Sequence, residues 1–396
     1  MSNKRFVLRL KRSPEKVHMA AVAAFLTVLC LPFHTLSIGG VGLLMLTGIP
    51  LLMLSIPAFL RQFRSNRWDK ALLLLLAFFL YNLAAYIWTP TFSMDSVYTY
   101  IKIIVVVLSL YCIDLNSREK RLLLIAAVFV GLLVCWFIIT GRNIYYHEGR
   151  AFLSLFGITQ DPNYMGYLFL IPMAVGVAGL FESRSLGGKI AYGAIAVVVL
   201  FAVLLTGSRG ALLGLIAVAG VCALTRFHKL WAKVLFCAGM LVLALAVYGA
   251  LLTLLPESLA SRFTIESVIS SRGTYRLDTW IRAFKAMGRE PYKLLFGFGN
   301  GSSLAVIGGR WVAHNFVIQL LLELGIVGSC LFYAFLWRWC RRLARYDSMC
   351  LSVVLGCMAI SLTLSVNKVY YFWVIFILSI VCSKAKESPK KENQLT

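Results

Sequence analysis

Twelve apolar runs, parted by short polar breaks, fill the chain from residue 17 to residue 383. They cover 17–36, 42–60, 70–88, 97–113, 121–140, 164–181, 189–206, 210–225, 233–255, 315–337, 349–365 and 369–383. A helix rises about 1.5 Å per residue, so roughly 20 apolar residues cross a bilayer core of about 30 Å. The pattern therefore predicts an all-α polytopic membrane protein with about twelve transmembrane helices. Residues 17–383 form the membrane domain, and the runs 210–225 and 369–383 are the shortest. One long polar stretch, 256–314, interrupts the series. The run after the basic N-terminus suits a signal peptide in character, but it is long and a second run follows at once. It reads as a retained first helix.

Charge orients these helices. Segment 1–16 carries Lys4, Arg5, Arg9, Lys11, Arg12 and Lys16. Every second loop is likewise basic, with Arg61, Arg64, Arg67 and Lys70, then Arg118, Lys120 and Arg121, then Arg184 and Lys189. The series continues with Arg226, Lys229 and Lys233, and then with Arg338, Arg341, Arg342 and Arg345. The intervening short loops hold only Arg142, Arg150, Arg209 and Lys368. Cytoplasmic loops are the ones enriched in Lys and Arg. This alternation puts both termini in the cytoplasm, with 1–16 a cytoplasmic segment and 384–396 a disordered cytoplasmic tail. The stretch 256–314 becomes a large outer-face loop.

Composition narrows the class further. The chain has 396 residues, 60% apolar and 14% charged, which a soluble globule could not bury. The net charge of +23 is spread over many loops, as membrane orientation requires, so no nucleic-acid partner is expected. None of the ten cysteines falls in an outer loop, so no disulfide is expected. No CxxC or HExxH spacing supports a metal site, and no cofactor is implied.

The outer loop departs from the charge rule. It holds eight basic residues, Arg262, Arg272, Arg276, Arg282, Lys285, Arg289, Lys293 and Arg310, against four acids. Long loops translocate largely regardless of charge, so topology does not explain the excess. Within the loop, 274–289 reads as an amphipathic helix. Leu277, Trp280, Ile281, Phe284 and Met287 share one face, and Arg282, Lys285 and Arg289 share the other. Arg276 lies at the edge of the apolar face, either a snorkelling interfacial arginine or a phosphate clamp. Gly297-Phe298-Gly299-Asn300-Gly301 follows, a plain turn or a point of close backbone approach. His314 then opens the next helix as a structural residue or a general base, and Asn315 as a ligand or an N-cap. Glu323, about 13 Å further along that helix, needs a partner, because a charge at depth is costly. Arg209, in Thr206-Gly207-Ser208-Arg209-Gly210, joins two runs with almost no loop. Lys102 lies one turn into the fourth run, and Asp161-Pro162-Asn163 precedes the sixth. Lys102, Arg209, Arg276 and His314 all fall on the outer side, which suits one anion site.

These pieces together resemble the O-antigen ligase/polymerase superfamily. The matching stretches are, in order, Asp161-Pro162-Asn163-Tyr164-Met165-Gly166, Leu205-Thr206-Gly207-Ser208-Arg209-Gly210, Arg276-Leu277-Asp278-Thr279-Trp280, Phe296-Gly297-Phe298-Gly299-Asn300, and His314-Asn315 with Glu323-Leu324-Gly325. They span roughly positions 160 to 330. The resemblance implies a GT-C-like, metal-independent glycosyltransferase of the bacterial inner membrane with its active site on the outer face. It would move a glycan from undecaprenyl pyrophosphate to an acceptor hydroxyl on a glycan or lipid, beside membrane lipids and partners in polysaccharide assembly. It assigns catalysis to Arg209, Arg276 and His314. Lys102, Asp161, Asn163, Arg272 and Asn315 complete the substrate-binding set. Whether such an enzyme is a polymerase or a ligase depends on the acceptor. The alternative class is a polytopic transporter or flippase for a lipid-linked glycan. That class usually shows midplane acids or broken helices in two matching halves.

Overall fold

The computed structural model describes residues 17–39, 41–64, 69–147, 150–227, 229–239, 276–308 and 312–383, with isolated positions between 240 and 275. The N-terminal segment, most of the run 233–255, the first part of the outer loop with Arg272, and the tail lie outside the described residues.

Each apolar run holds one helix. Six are long and apolar enough to cross a membrane: α2 (Leu43–Arg64), α4 (Met94–Cys112), α5 (Ser117–Thr140), α6 (Pro162–Glu182), α7 (Leu186–Thr206) and α13 (Phe316–Tyr346). Six are shorter: α1 (Met19–Leu29), α3 (Lys70–Ala84), α8 (Arg209–Leu224), α9 (Leu230–Gly239), α14 (Ser348–Ser361) and α15 (Tyr370–Ser383). Between α9 and α13 the described residues form three more helices, α10 (Arg276–Arg289), α11 (Lys293–Phe296) and α12 (Ser303–Ile307). Three of the runs expected to span, 17–36, 70–88 and 349–365, stop being α-helical before they end. Their last residues turn into irregular segments at one end of the bundle.

The chain is not purely α-helical. Strands β1 (Ser37–Ile38) and β2 (Val41–Gly42) pair as a small hairpin. β3 (Ile144–His147), β4 (Arg150–Leu155) and β5 (Ile158–Gln160) form an antiparallel sheet in the order β3-β4-β5. β4 buries Ala151, Leu153 and Leu155 on one face, the period-two pattern of a half-buried strand. Its six residues are too few for that alternation to stand out beside the long apolar runs of the helices.

Local chemistry sets the helix ends. Asn116 and Glu119 close a capping box on α5, and the buried Glu119 also accepts from the His18 amide at 2.6 Å. Asp69 caps α3 through the Ala71 amide and takes the Tyr111 hydroxyl at 2.6 Å. Helix α15 is buried on every side from Tyr371 to Ser383, so it forms the axis of the bundle. By contrast, α7 exposes Leu186, Ile190, Val197 and Phe201, which suits a lipid-facing helix. Helices α8 and α14 pack closely because both carry glycine at the crossing. A Cβ on Gly356 would lie 2.5 Å from Val218 Cγ2.

The loops sort by contact. Asn300 reaches Asn82 and Ala85, Thr91 reaches Gly301, Asn163 reaches Ser208, and Tyr371 reaches Gln160. These loops, all assigned to the outer side by charge, meet at one end. At the other end Arg61 pairs with Asp114 at 3.0 Å and Arg226 with Glu182.

Candidate functional site

Helix α13 is broken inside its length. Gly325 takes φ 65° and ψ −164°, a conformation open essentially to glycine alone. The break releases helix carbonyls just before it. The glycine run satisfies them: Phe298 donates to the Leu322 carbonyl at 2.8 Å and Gly299 to the Glu323 carbonyl at 3.0 Å. Side chains would block this contact. A Cβ on Gly297 would overlap the Glu323 carbonyl, and one on Gly325 would lie 2.5 Å from the Leu295 carbonyl oxygen. The run is therefore a point of close backbone approach rather than a free turn.

Asn300 continues the same loop inward. With Asn82 and Asn367 it forms a buried amide network, each residue at most 1% exposed. Asn82 Nδ2 donates to Asn367 Oδ1 at 3.1 Å, and Asn300 Nδ2 donates to Asn82 Oδ1. The network ties the end of α3 and the loop before α15 to the glycine run. Asn82 and Asn367 were missed from sequence. The available signal was Asn82, an amide set inside the otherwise apolar run 70–88; Asn367 falls in a polar break and offered none.

The cationic residues come next. Asp161 caps the start of α6, accepting from the Asn163 amide and from Asn163 Nδ2, both at 2.7 Å. Asn163 Oδ1 accepts from Ser208 Oγ at 2.9 Å, and Ser208 is the N-cap of α8. Arg209 is the first residue of that helix, so this chain of bonds ties Asp161 to the start of the helix that carries Arg209. Arg276 lies on α10. Arg209 follows the Ser208 N-cap, at a helix N-terminus where the macrodipole already favours negative charge.

His314 stands between α12 and α13 with φ 47°, in the left-handed region. Its neighbours hold it there. Trp280 Nε1 donates to the Ala313 carbonyl at 2.7 Å, and Asn315 caps α13 through the Val317 and Ile318 amides. Backbone strain of this kind costs about 1–3 kcal/mol and persists where the surroundings over-determine it. Burial lowers the His314 pKa from its usual 6.5; the Arg276 charge lowers it further, and Asp161 opposes both. Burial also lowers the Arg276 pKa, the Arg209 charge adds to this, and Asp161 again opposes. Each of these side chains thus lies within electrostatic reach of its neighbours. Arg209, Arg276, His314 and Asp161 form one half-buried, net cationic cluster.

A cavity of 550 Å³ adjoins it, sharing Asp161 as a wall residue. Glu323, Gln319, Ser303, Ser365, Lys368 and Tyr370 line its other sides. The partner expected for Glu323 is present: Ser303 Oγ donates to its Oε1, as does Gln319 Nε2 at 3.3 Å. Burial lowers the Lys368 pKa while the Glu323 charge raises it. Among the described residues, no three His, Cys, Asp or Glu side chains group as metal ligands. All ten cysteines are free thiols.

Other candidates fall elsewhere. Lys102 is exposed on α4, next to the exposed Ile101 and off the buried stripe of Tyr100, Ile103 and Val107. Arg272 is outside the described residues. Asn315 spends its side-chain oxygen on the cap. The apolar face of α10 divides differently from expectation. Thr279, Ala283 and Met287 are buried, Trp280 is half-buried, and Leu277, Ile281 and Phe284 are exposed. Arg282, Lys285 and Arg289 are exposed as expected.

The segment that carries Arg209, Arg276, the glycine run, His314 and Glu323 has a known counterpart. Residues 194–333 match the family model of the O-antigen ligase. The resemblance to the O-antigen ligase superfamily read from the motifs is thereby supported over that stretch. No curated protein matches the chain. Together with the apolar helices, the O-antigen ligase match supports a membrane enzyme of polysaccharide assembly.

Proposed function

We propose that this protein is a membrane glycosyltransferase of the O-antigen ligase/polymerase type. It transfers a glycan from undecaprenyl pyrophosphate to an acceptor hydroxyl at the outer face of the bacterial inner membrane. The observation that carries this reading is the electrostatic coupling of Arg209, Arg276 and His314 around Asp161. Two guanidiniums make a site for a pyrophosphate, since each offers paired donors to phosphate oxygens.

In the reaction, the acceptor oxygen attacks the anomeric carbon of the donor glycan. The bond from that carbon to pyrophosphate breaks, and its electron pair leaves with the pyrophosphate. Arg209 and Arg276 stabilise the charge that builds there. His314 takes the acceptor proton. Its lowered pKa keeps it neutral at neutral pH, which a base requires. Polymerase and ligase differ only in the acceptor.

The test uses cells that carry each variant at matched protein level, with surface glycan resolved by gel. His314→Ala should lower transfer about 10²–10⁴-fold while lipid-linked donor still binds. Arg276→Lys keeps the charge but loses the fork, and should weaken donor binding. Normal glycan from His314→Ala would remove the histidine from the chemistry.

A further inference from the structure

The cavity beside the cationic cluster has an unmet demand for hydrogen-bond donors. Glu323 is 2% exposed and Gln319 8%. Glu323 Oε1 accepts from Ser303 and Gln319, but Glu323 Oε2, Gln319 Oε1 and Ser365 Oγ are buried with no partner among the described residues. Leaving such a group unpaired is costly, most of all when it is charged. All three side chains line the same cavity, with Glu323 one turn beyond Gln319 on α13. Two of the three atoms can only accept, so the missing partner must be rich in donors.

The wall composition narrows the occupant. An anion would be repelled by Glu323 and is better held by the arginines next door. A metal cation would meet a single carboxylate, already bonded on one oxygen, with Lys368 in the same wall. A neutral polyhydroxylated ring meets neither objection. Its hydroxyls donate, and the Tyr370 and Tyr164 rings in the lining suit its apolar face. The volume of 550 Å³ lies within the range of about 300–1,000 Å³ usual for small-molecule sites.

The geometry points to a sugar-binding subsite in this cavity, with hydroxyls of a pyranose donating to Glu323 Oε2 and Gln319 Oε1 and a further one bonding Ser365 Oγ. The assignment rests on the glycosyltransferase reading, because Asp161 forms a common wall between the subsite and the Arg209–Arg276–His314 cluster. The glycan would then lie on an acidic floor and its pyrophosphate on a basic one, so that charge alone sets the polarity of the bound substrate. Gln319 and Glu323 act here as positioning residues for the sugar and take no part in proton transfer.

The experiment uses the full chain purified into nanodiscs. The probes are single repeat units cut from the surface polysaccharide of the source cell. One is prepared as the methyl glycoside and one carries a phosphate at its reducing end. Binding is read by saturation-transfer NMR, and undecaprenyl pyrophosphate binding is measured in parallel. Glu323→Gln should weaken both sugar probes at least tenfold and leave undecaprenyl pyrophosphate binding unchanged. Ser365→Ala removes only a hydroxyl with no protein partner, so it should leave thermal melting unchanged and weaken the sugars about threefold. This second variant keeps the test decisive if Glu323→Gln fails to fold. Stronger binding of the phosphorylated probe, lost in Arg276→Lys, would identify the donor glycan as the occupant. Equal binding of both probes would identify the acceptor. If the wild-type chain binds neither probe, or if Ser365→Ala and a folded Glu323→Gln bind both as wild type does, the cavity holds water alone and the subsite is wrong. Loss of the transferase reading is separable: normal surface glycan in cells that lack this chain would sink that reading while sugar binding at Glu323 stood.

Discussion

Gly299 donates its amide to the Glu323 carbonyl at 3.0 Å, and that bond stands in for one the broken helix can no longer make. The contact fixes Glu323 where the cavity begins. It also couples the outer loop to the membrane helix that follows His314.

Gly297→Ala tests this coupling. The new Cβ would overlap the Glu323 carbonyl, and the φ of 80° at Gly297 is itself strained for alanine, by about 1–3 kcal/mol. The variant should melt earlier and lose most glycan transfer. Gly288→Ala, on the exposed face of α10 with no atom within 4 Å of its would-be Cβ, should do neither. Equal melting of the two variants would show the loop to be free of the helix.

The faces of α10 give a second contrast. Arg276 lies in the cationic cluster, whereas Arg282 is exposed and donates to the Gly308 carbonyl at 3.3 Å. Arg276→Ala should abolish surface glycan; Arg282→Ala should reduce it less than threefold, since Arg282 is exposed and its bond goes to a loop carbonyl outside the cluster. Comparable losses on the gel would mean the functional face has been misplaced.

The pH profile follows from His314. A base with a pKa below the usual 6.5 stays neutral, and so competent, as pH falls past that value. Transfer in proteoliposomes should fall along an acid limb whose midpoint lies below pH 6.5. Asp161 raises this pKa, so residual transfer by Asp161→Asn should decline at a still lower pH. An acid limb that moves upward in this variant would contradict the assigned coupling.

Orientation can be read by labelling. In a cysteine-free background, Lys285→Cys on α10 and Ala344→Cys on α13 both place an exposed thiol. A membrane-impermeant maleimide should label the first in intact spheroplasts and the second only after permeabilisation. Labelling of both from one side would overturn the outer placement of the 256–314 loop.

Much of the architecture was legible in the sequence because hydropathy and charge act locally. A run of apolar residues has one low-energy form in a bilayer, a helix, so every run from 17 to 383 holds one. Basic loops alternate for the same local reason. The sequence also isolated Asp161, Arg209, Arg276 and His314, since a polar or charged residue stands out against apolar surroundings. It could not show which apolar faces meet protein and which meet lipid, because both environments are equally apolar. That is why Leu277, Ile281 and Phe284 were grouped with Met287, though only Met287 is buried. Nor could it show where a helix yields. The break at Gly325, the Asn82–Asn300–Asn367 network and the short helices α3 and α14 depend on partners more than 60 residues away along the chain, or nearly 30 for Gly297 and Gly325. Convergence of four separate segments on one cationic cluster, with Lys102 left outside it, was decided by the tertiary structure alone, because electrostatic reach is set by distance in space and not along the chain.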